Sequence, residues 1–264
     1  MSTSFTTLEL AIDGAVARIW LDRPELRNAF DDDVIAELTQ AFIEAGAAPQ
    51  VKAIVLGARG PAFCAGANLH WMRRMADYTR EENIADADKL AVMLRTIADC
   101  PKPTVARVQG DVYAGGMGLV AACDIAVSVD SAWYCLSEVK IGLVPATISP
   151  YVLRAMGTRA AQRWFLTAER FGAAEAHRIG FVHEVVAADA LDARVGDIVK
   201  ALAGASPAAV RACKRLIADV AGREIDDALV AQTVQGIADI RASDEGREGV
   251  KAFLEKRKPA WLQP

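Results

Sequence analysis

Between residues 108 and 127 the chain reads VQGDVYAGGMGLVAACDIAV, where Gly110, Gly115, Gly116 and Gly118 interrupt an apolar, Ala- and Val-rich stretch. Glycine inside a helix or strand costs about 0.5–1 kcal/mol relative to alanine, so four of them in a core-like segment need a reason. One reason is chemical. A strand, a glycine turn and a helix beginning near Gly115–Gly116 leave backbone N–H groups free at the positive end of a helix. Such donors suit an anion or an oxygen that gains charge during a reaction. The other reason is tight packing of a helix on a strand, a role glycine also serves. A second small-residue turn, Ala65-Gly66-Ala67 in PAFCAGANL, follows the apolar run KAIVLGA and offers another N–H to the same oxygen. Glu138, in YCLSEVKIGLV, is a carboxylate with apolar neighbours on both sides. Burial there raises a carboxyl pKa toward values useful for proton transfer.

Other chemistries find no support in the spacing. A phosphate loop needs G-x4-G-K-S/T, but Gly116 and Met117 follow Gly115 where lysine and hydroxyl belong. There is no G-x-G-x-x-G fingerprint, no G-x-S-x-G elbow and no H-E-x-x-H. His70, His177 and His183 lack metal-ligand spacing, and no metal or cofactor is expected. The five cysteines form no C-x-x-C pair and read as reduced, mostly buried thiols of a cytoplasmic protein. A net charge of −4 provides no field for nucleic acid, so an anionic ligand must meet local cations. The opening MSTSFTTLEL has neither a basic flank nor an apolar run, which predicts no secretion signal. No apolar run approaches the ~20 residues of a membrane span.

The elements that must hold these residues follow an α/β pattern. LELAI and AVARIWL, joined at Asp13-Gly14, predict a hairpin. DDDVIAELTQAFIEAGA predicts a helix with acidic residues at its start and Val34, Ile35, Leu38 and Phe42 on its apolar face. Strands are expected at 52–58, 104–108 and 124–129, with a helix at 81–99 ended by Pro101 and Pro103. Alternation of this kind defines an α/β core. Beyond Ser149 only FVHEVV reads as a strand, and helices are expected near 190–203, 207–220, 224–240 and 244–257. The expected division is an α/β body over 1–190 and a helical region over 191–264.

FCAGANL, VQGDVYAGGMGLVAACDIAV and SEVKIGLVPA, together with the opening LDRPELRNAF and the closing FLEKRKPAW, resemble the signature segments of the crotonase family. These are the enoyl-CoA hydratases and isomerases. The resemblance spans essentially the whole chain, in order. YCLSEV and ISPYV are most similar to bacterial 3-methylglutaconyl-CoA hydratases and similar branched-substrate enzymes. The resemblance implies a spiral of ββα units with a C-terminal trimerisation region, a homotrimer or dimer of trimers, and an acyl-CoA thioester as substrate. It implies that the N–H groups of Ala67 and Gly115 hold an enolate oxygen and that Glu138 handles protons. It also implies contacts to the thioester from Arg27, Ala65, Leu69, Trp71, Gly116, Gly118, Phe253 and Lys256, with Met72 as pocket wall. His70 follows the first turn and is a further proton-carrier candidate. Hydratases of this family use two glutamates, and the first would fall on Gly118. That departure favours a hydratase for branched substrates, in which Gly118 leaves room beside the reacting double bond, and keeps an isomerase open with Glu138 as its single proton carrier. A silent CoA- or RNA-binding relative is the remaining alternative; intact Glu138 and the acidic charge speak against it.

Overall fold

The computed structural model describes residues 4–262; residues 1–3 and 263–264, where part of the reading of the N-terminus falls, lie outside it. In chain order the strands and helices begin with β1 (Leu8–Asp13), β2 (Val16–Leu21), α1 (Asp32–Ala47), β3 (Ala53–Ala58) and β4 (Ala62–Cys64). Next come α2 (Leu69–Met75), α3 (Arg80–Ala98), β5 (Thr104–Val108), β6 (Asp111–Tyr113) and α4 (Gly115–Ala122). Then follow β7 (Ile125–Val129), β8 (Trp133–Cys135), α5 (Ser149–Thr167), β9 (Phe171–Gly172), α6 (Ala173–Arg178) and β10 (Glu184–Val186). The chain ends in α7 (Leu191–Gly204), α8 (Pro207–Val220), α9 (Asp227–Ala242) and α10 (Asp244–Leu254).

The strands form two sheets. Six make a large sheet in the order β1-β2-β3-β5-β7-β10, antiparallel only at the β1–β2 hairpin. Four short strands make a second sheet, β4-β6-β8-β9, parallel except for β9. Consecutive strands alternate between sheets: β3 then β4, β5 then β6, β7 then β8, each pair followed by a helix. The winding is the expected spiral of ββα units. The four short strands were not expected from the sequence. At two or three residues each, they are too short to show an alternating pattern.

The large sheet follows its sequence closely. β3 is buried along its entire length, as a parallel strand covered on both faces must be. α1 starts where Asp31 accepts a hydrogen bond from the Val34 N–H, and Arg23 holds that carboxylate at 2.8 Å. α3 starts with a capping box between Thr79 and Glu82. The expected boundary at 190 is displaced. Leu191, Val195 and Val199 of α7 are buried against β3, β5 and β7, so α7 belongs to the body. Separation begins only at α8, which buries no residue in this chain. Lys214 of α8 ties it back to Asp124 at 2.8 Å. No helix among the described residues is long and apolar enough to cross a membrane.

Candidate active site

Three neighbouring parallel strands of the small sheet deliver the expected site residues from their C-terminal ends. β4 leads into Ala65–Ala67, β6 into Ala114 and Gly115, and β8 into Ser137 and Glu138. Carboxyl ends of parallel strands are where α/β sheets collect ligand sites.

The first loop is splinted by residues 27–30. Ala65 N–H donates to the Arg27 carbonyl, Phe30 N–H to Gly66 and Asn68 N–H to Phe30. Phe30 and Ala67 thus form a parallel bridge, in which Ala67 turns its own N–H to the far side, away from Phe30. That N–H has no acceptor among the described residues. Asn28 fixes the splint from below: its amide donates to the carbonyls of Arg59 and Ala62, each at 2.8 Å, and accepts from Arg23 N–H.

The second loop is aimed by Ala114. Its φ of 46° lies in the left-handed region, a strain of the kind kept at functional sites, and its N–H is anchored to the Cys135 carbonyl at 2.8 Å. The Ala114 carbonyl points into α4 and accepts from Met117 N–H. Across a trans peptide the Gly115 N–H must point the opposite way, out of the helix N-terminus. The two loops touch. Gly66, with φ of +89°, lies so close that a Cβ on it would sit 3.0 Å from the Ala114 Cβ. A side chain there would push the two N–H groups apart.

Glu138 begins the turn after β8. Its Oε2 is buried without a hydrogen-bond partner, and burial pushes its carboxyl above the usual range. It shares a cavity of about 570 Å³ with Ala67 and Gly115. One flank of that cavity comes from α2 and α3: Leu69, Trp71, Met72, Met75, Asn83, Asp86, Ala87 and Leu90. The other comes from residues 141–148, ending at Ile148. Leu69, Ile141, Leu143 and Val144 form an exposed apolar rim.

The structure therefore brings together Ala65, Ala67, Leu69, Trp71, Met72, Gly115 and Glu138, and separates the others from the cavity wall. Gly116 packs on β4; a Cβ there would lie 2.8 Å from the Cys64 Cβ. Gly118 needs a correction. It leaves no open space, because a Cβ on it would meet the Ile148 Cγ2 at 2.3 Å. Ile148, 3 % exposed, already fills that volume. Gly115 combines both readings of the glycines: its N–H faces the cavity while Phe30 occupies the place a Cβ would take, 2.1 Å from the ring. Gly110 is a close-approach glycine against the Pro61 carbonyl. Arg27 flanks the first loop, but its guanidinium pairs with Asp111 at 3.5 Å. His70 is outside the wall; its N–H donates to the Asn68 side chain. Phe253 and Lys256, in and after α10, are not in the cavity wall of their own chain, and Phe253 is 82 % exposed. The sequence reading missed Phe30, Asp86, Ala114 and Ile148. Their signal is spatial, since each gains its role only from a residue far away in the chain.

Two backbone segments with free N–H groups, at Ala67 and Gly115, and the half-buried Glu138 carboxylate line one largely apolar cavity, an arrangement that suits acid–base chemistry on a polarised carbonyl. The chain belongs to the enoyl-CoA hydratase/isomerase family, whose profile matches residues 11–264. Among solved structures, an enoyl-CoA hydratase from Shewanella pealeana superimposes with a TM-score of 0.95 at 42% identity, covering 97% of this chain and 96% of that one. An enoyl-CoA hydratase from Mycobacterium smegmatis gives 0.91 at 33%, covering 98% and 100%. The enoyl-CoA hydratase ACTT6 of Alternaria alternata is 34% identical over 262 residues, 97% of this chain and 84% of its own length.

Proposed function

We propose that the protein is an enoyl-CoA hydratase working with one carboxylate. The observation that carries this reading is the unpartnered Oε2 of Glu138 in the same cavity as the two N–H donors. Ionised Glu138 takes a proton from water as the water oxygen bonds to C3. The double-bond electrons move through C2 onto the thioester oxygen, giving an enolate held by the Ala67 and Gly115 N–H groups. The enolate then collapses, and C2 takes the proton from Glu138, which returns to its ionised form. Each donor in such a hole contributes about 3 kcal/mol to transition-state stabilisation. Ile148 beside Leu143 and Val144 gives the cavity an apolar wall, which supports a branched acyl group. We assign the CoA phosphates to Arg27, which flanks the first loop, as the resemblance implies. Turnover in heavy-oxygen water tests the reaction: label in a 3-hydroxyacyl product supports hydration, and a shifted double bond without label replaces it with isomerisation.

The assembly is part of the same reading. Leu216, Ile217, Val234, Ile237, Phe253 and Leu254 of α8–α10 are exposed, more apolar surface than a lone helical extension should carry. We take them as contacts in a homotrimer or dimer of trimers that brings Phe253 and Lys256 to a neighbouring CoA. Four buried free thiols, Cys64, Cys100, Cys123 and Cys135, fit a reducing cytoplasm. Sedimentation of a chain ended before Ser206 tests the contact; a stable trimer that keeps its CoA affinity overturns it.

A further inference from the structure

We infer that the acyl tail accepted by this cavity is uncharged, and that Asp86 is the residue that rejects a carboxylated one. The inference rests on the enoyl-thioester reading and narrows its substrate class. Among the described residues the cavity wall carries two carboxylates, Glu138 and Asp86, and no lysine, arginine or histidine. Asp86 stands on α3 with Ala87 and Leu90, and its Oδ1 accepts a hydrogen bond from Trp71 Nε1 at 3.1 Å. The nearby cations stand outside the cavity wall. Arg74 is engaged by Asp32, and Lys89, one turn along α3, is outside the wall. Burial and the Asp32 charge hold the Asp86 carboxyl above its ordinary value, while Trp71, Lys89 and Arg74 act in the opposite sense. A thioester whose oxygen sits between Ala67 and Gly115 must run its acyl chain along these walls. A terminal carboxylate would enter a space whose fixed charges are all negative, with less water than outside to screen them. The resemblance to 3-methylglutaconyl-CoA hydratases implies such a carboxylated tail, and the wall of this chain disagrees with it.

A matched pair of substrates at pH 8 tests the inference: 3-methylcrotonyl-CoA, neutral at its tail, against 3-methylglutaconyl-CoA. The expected kcat/KM ratio favours the neutral tail by about 30-fold or more, from like-charge repulsion at an intermediate dielectric. Asp86→Asn keeps an acceptor for Trp71 and should shrink that ratio by about 10-fold. Ala87→Lys, which puts a cation in the same wall without touching the Trp71 bond, should reverse it. A residue that only supports the fold would move both substrates alike. Calorimetric affinities for the saturated thioesters isovaleryl-CoA and 3-methylglutaryl-CoA should follow the same order. If neither enoyl-CoA is hydrated, the hydratase reading fails while the two affinities still decide about the tail. A carboxylated thioester bound or turned over as well as the neutral one, or a ratio unchanged in both variants, overturns the inference.

Discussion

The two sheets of this protein are built from the same ββα units but divide the labour. In the large sheet, five of the six strands run five or six residues, and its central strands are buried on both faces. It holds the body together. In the small sheet no strand exceeds three residues. Three of its strands nevertheless end at the cavity, and their loops hold the strained Ala114 backbone and the unpartnered Oε2 of Glu138. Stability and function therefore separate by sheet, and substitutions in the two should have opposite signatures.

Glu138→Gln gives the largest expected effect. The amide cannot exchange the proton, so turnover should fall by about 10³-fold. The same change removes a charge that burial disfavours and whose Oε2 has no partner, so stability at neutral pH should rise by about 1 kcal/mol. The sign follows from the raised carboxyl. As pH climbs from the unfolded carboxylate value near ~4.3 through the higher folded value, wild type must ionise a buried group and loses stability. The glutamine form does not, so the two unfolding curves should converge in acid and part above it. The acid limb of kcat/KM should likewise lie above the ordinary glutamate range. A variant that loses activity and stability together would break the division between the sheets.

Leu56→Ala in β3 is the counterpart. Leu56 is fully buried in the large sheet, and its truncation should cost about 3 kcal/mol in denaturant unfolding. Turnover per folded molecule should stay within about twofold, because additive behaviour is the rule for sites without shared contacts. A tenfold fall in turnover would show that the large sheet sets the site geometry more directly than its contacts suggest.

Gly115 separates the N–H from the shape. Gly115→Ala and Gly115→Pro both place a Cβ against Phe30, at 2.1 Å before any adjustment. Only proline also removes the donor. The alanine variant should therefore outpace the proline variant by about 10²-fold at similar thermal stability. Equal rates would take the oxyanion role from Gly115 and leave it a packing glycine.

The sequence was legible where single elements carry their own pattern. KAIVLGA and the run from Asp31 show burial, capping and period within one segment, and β3 and α1 fall where those signals put them. The expectation that Ala67, Gly115 and Glu138 act together came from motif segments rather than from periodicity, and the fold puts all three on one cavity. The small sheet was not, because three residues cannot display a period of two. Asp86 was hidden on a helix whose N-terminal half is mostly exposed, and only the fold brings it to the cavity wall beside Trp71. Gly118 was misread for a related reason. A glycine shows in the sequence that a side chain is missing, and only the fold shows what has moved into its place.

Ile148 has moved into that place, and the smallest expected effect tests it. A methyl on Gly118 would meet Ile148 Cγ2 at 2.3 Å, Ile148 Cβ at 2.9 Å and Leu94 Cδ2 at 3.4 Å. Overpacking of this kind costs about 2 kcal/mol for Gly118→Ala. Ile148→Ala removes the nearest atom but leaves its Cβ, so it should relieve only part of the strain. The double-mutant cycle should then show a favourable coupling of about 1 kcal/mol, the size expected for residues in direct contact. Because Ile148 also lines the cavity, its truncation should widen the acyl site and raise turnover of bulkier branched thioesters relative to crotonyl-CoA. Strictly additive costs, with an unchanged preference, would mean that Ile148 does not fill the space in front of Gly118. The room for a branch would then have to come from the α2–α3 flank of the cavity, where Met72 and Leu90 stand.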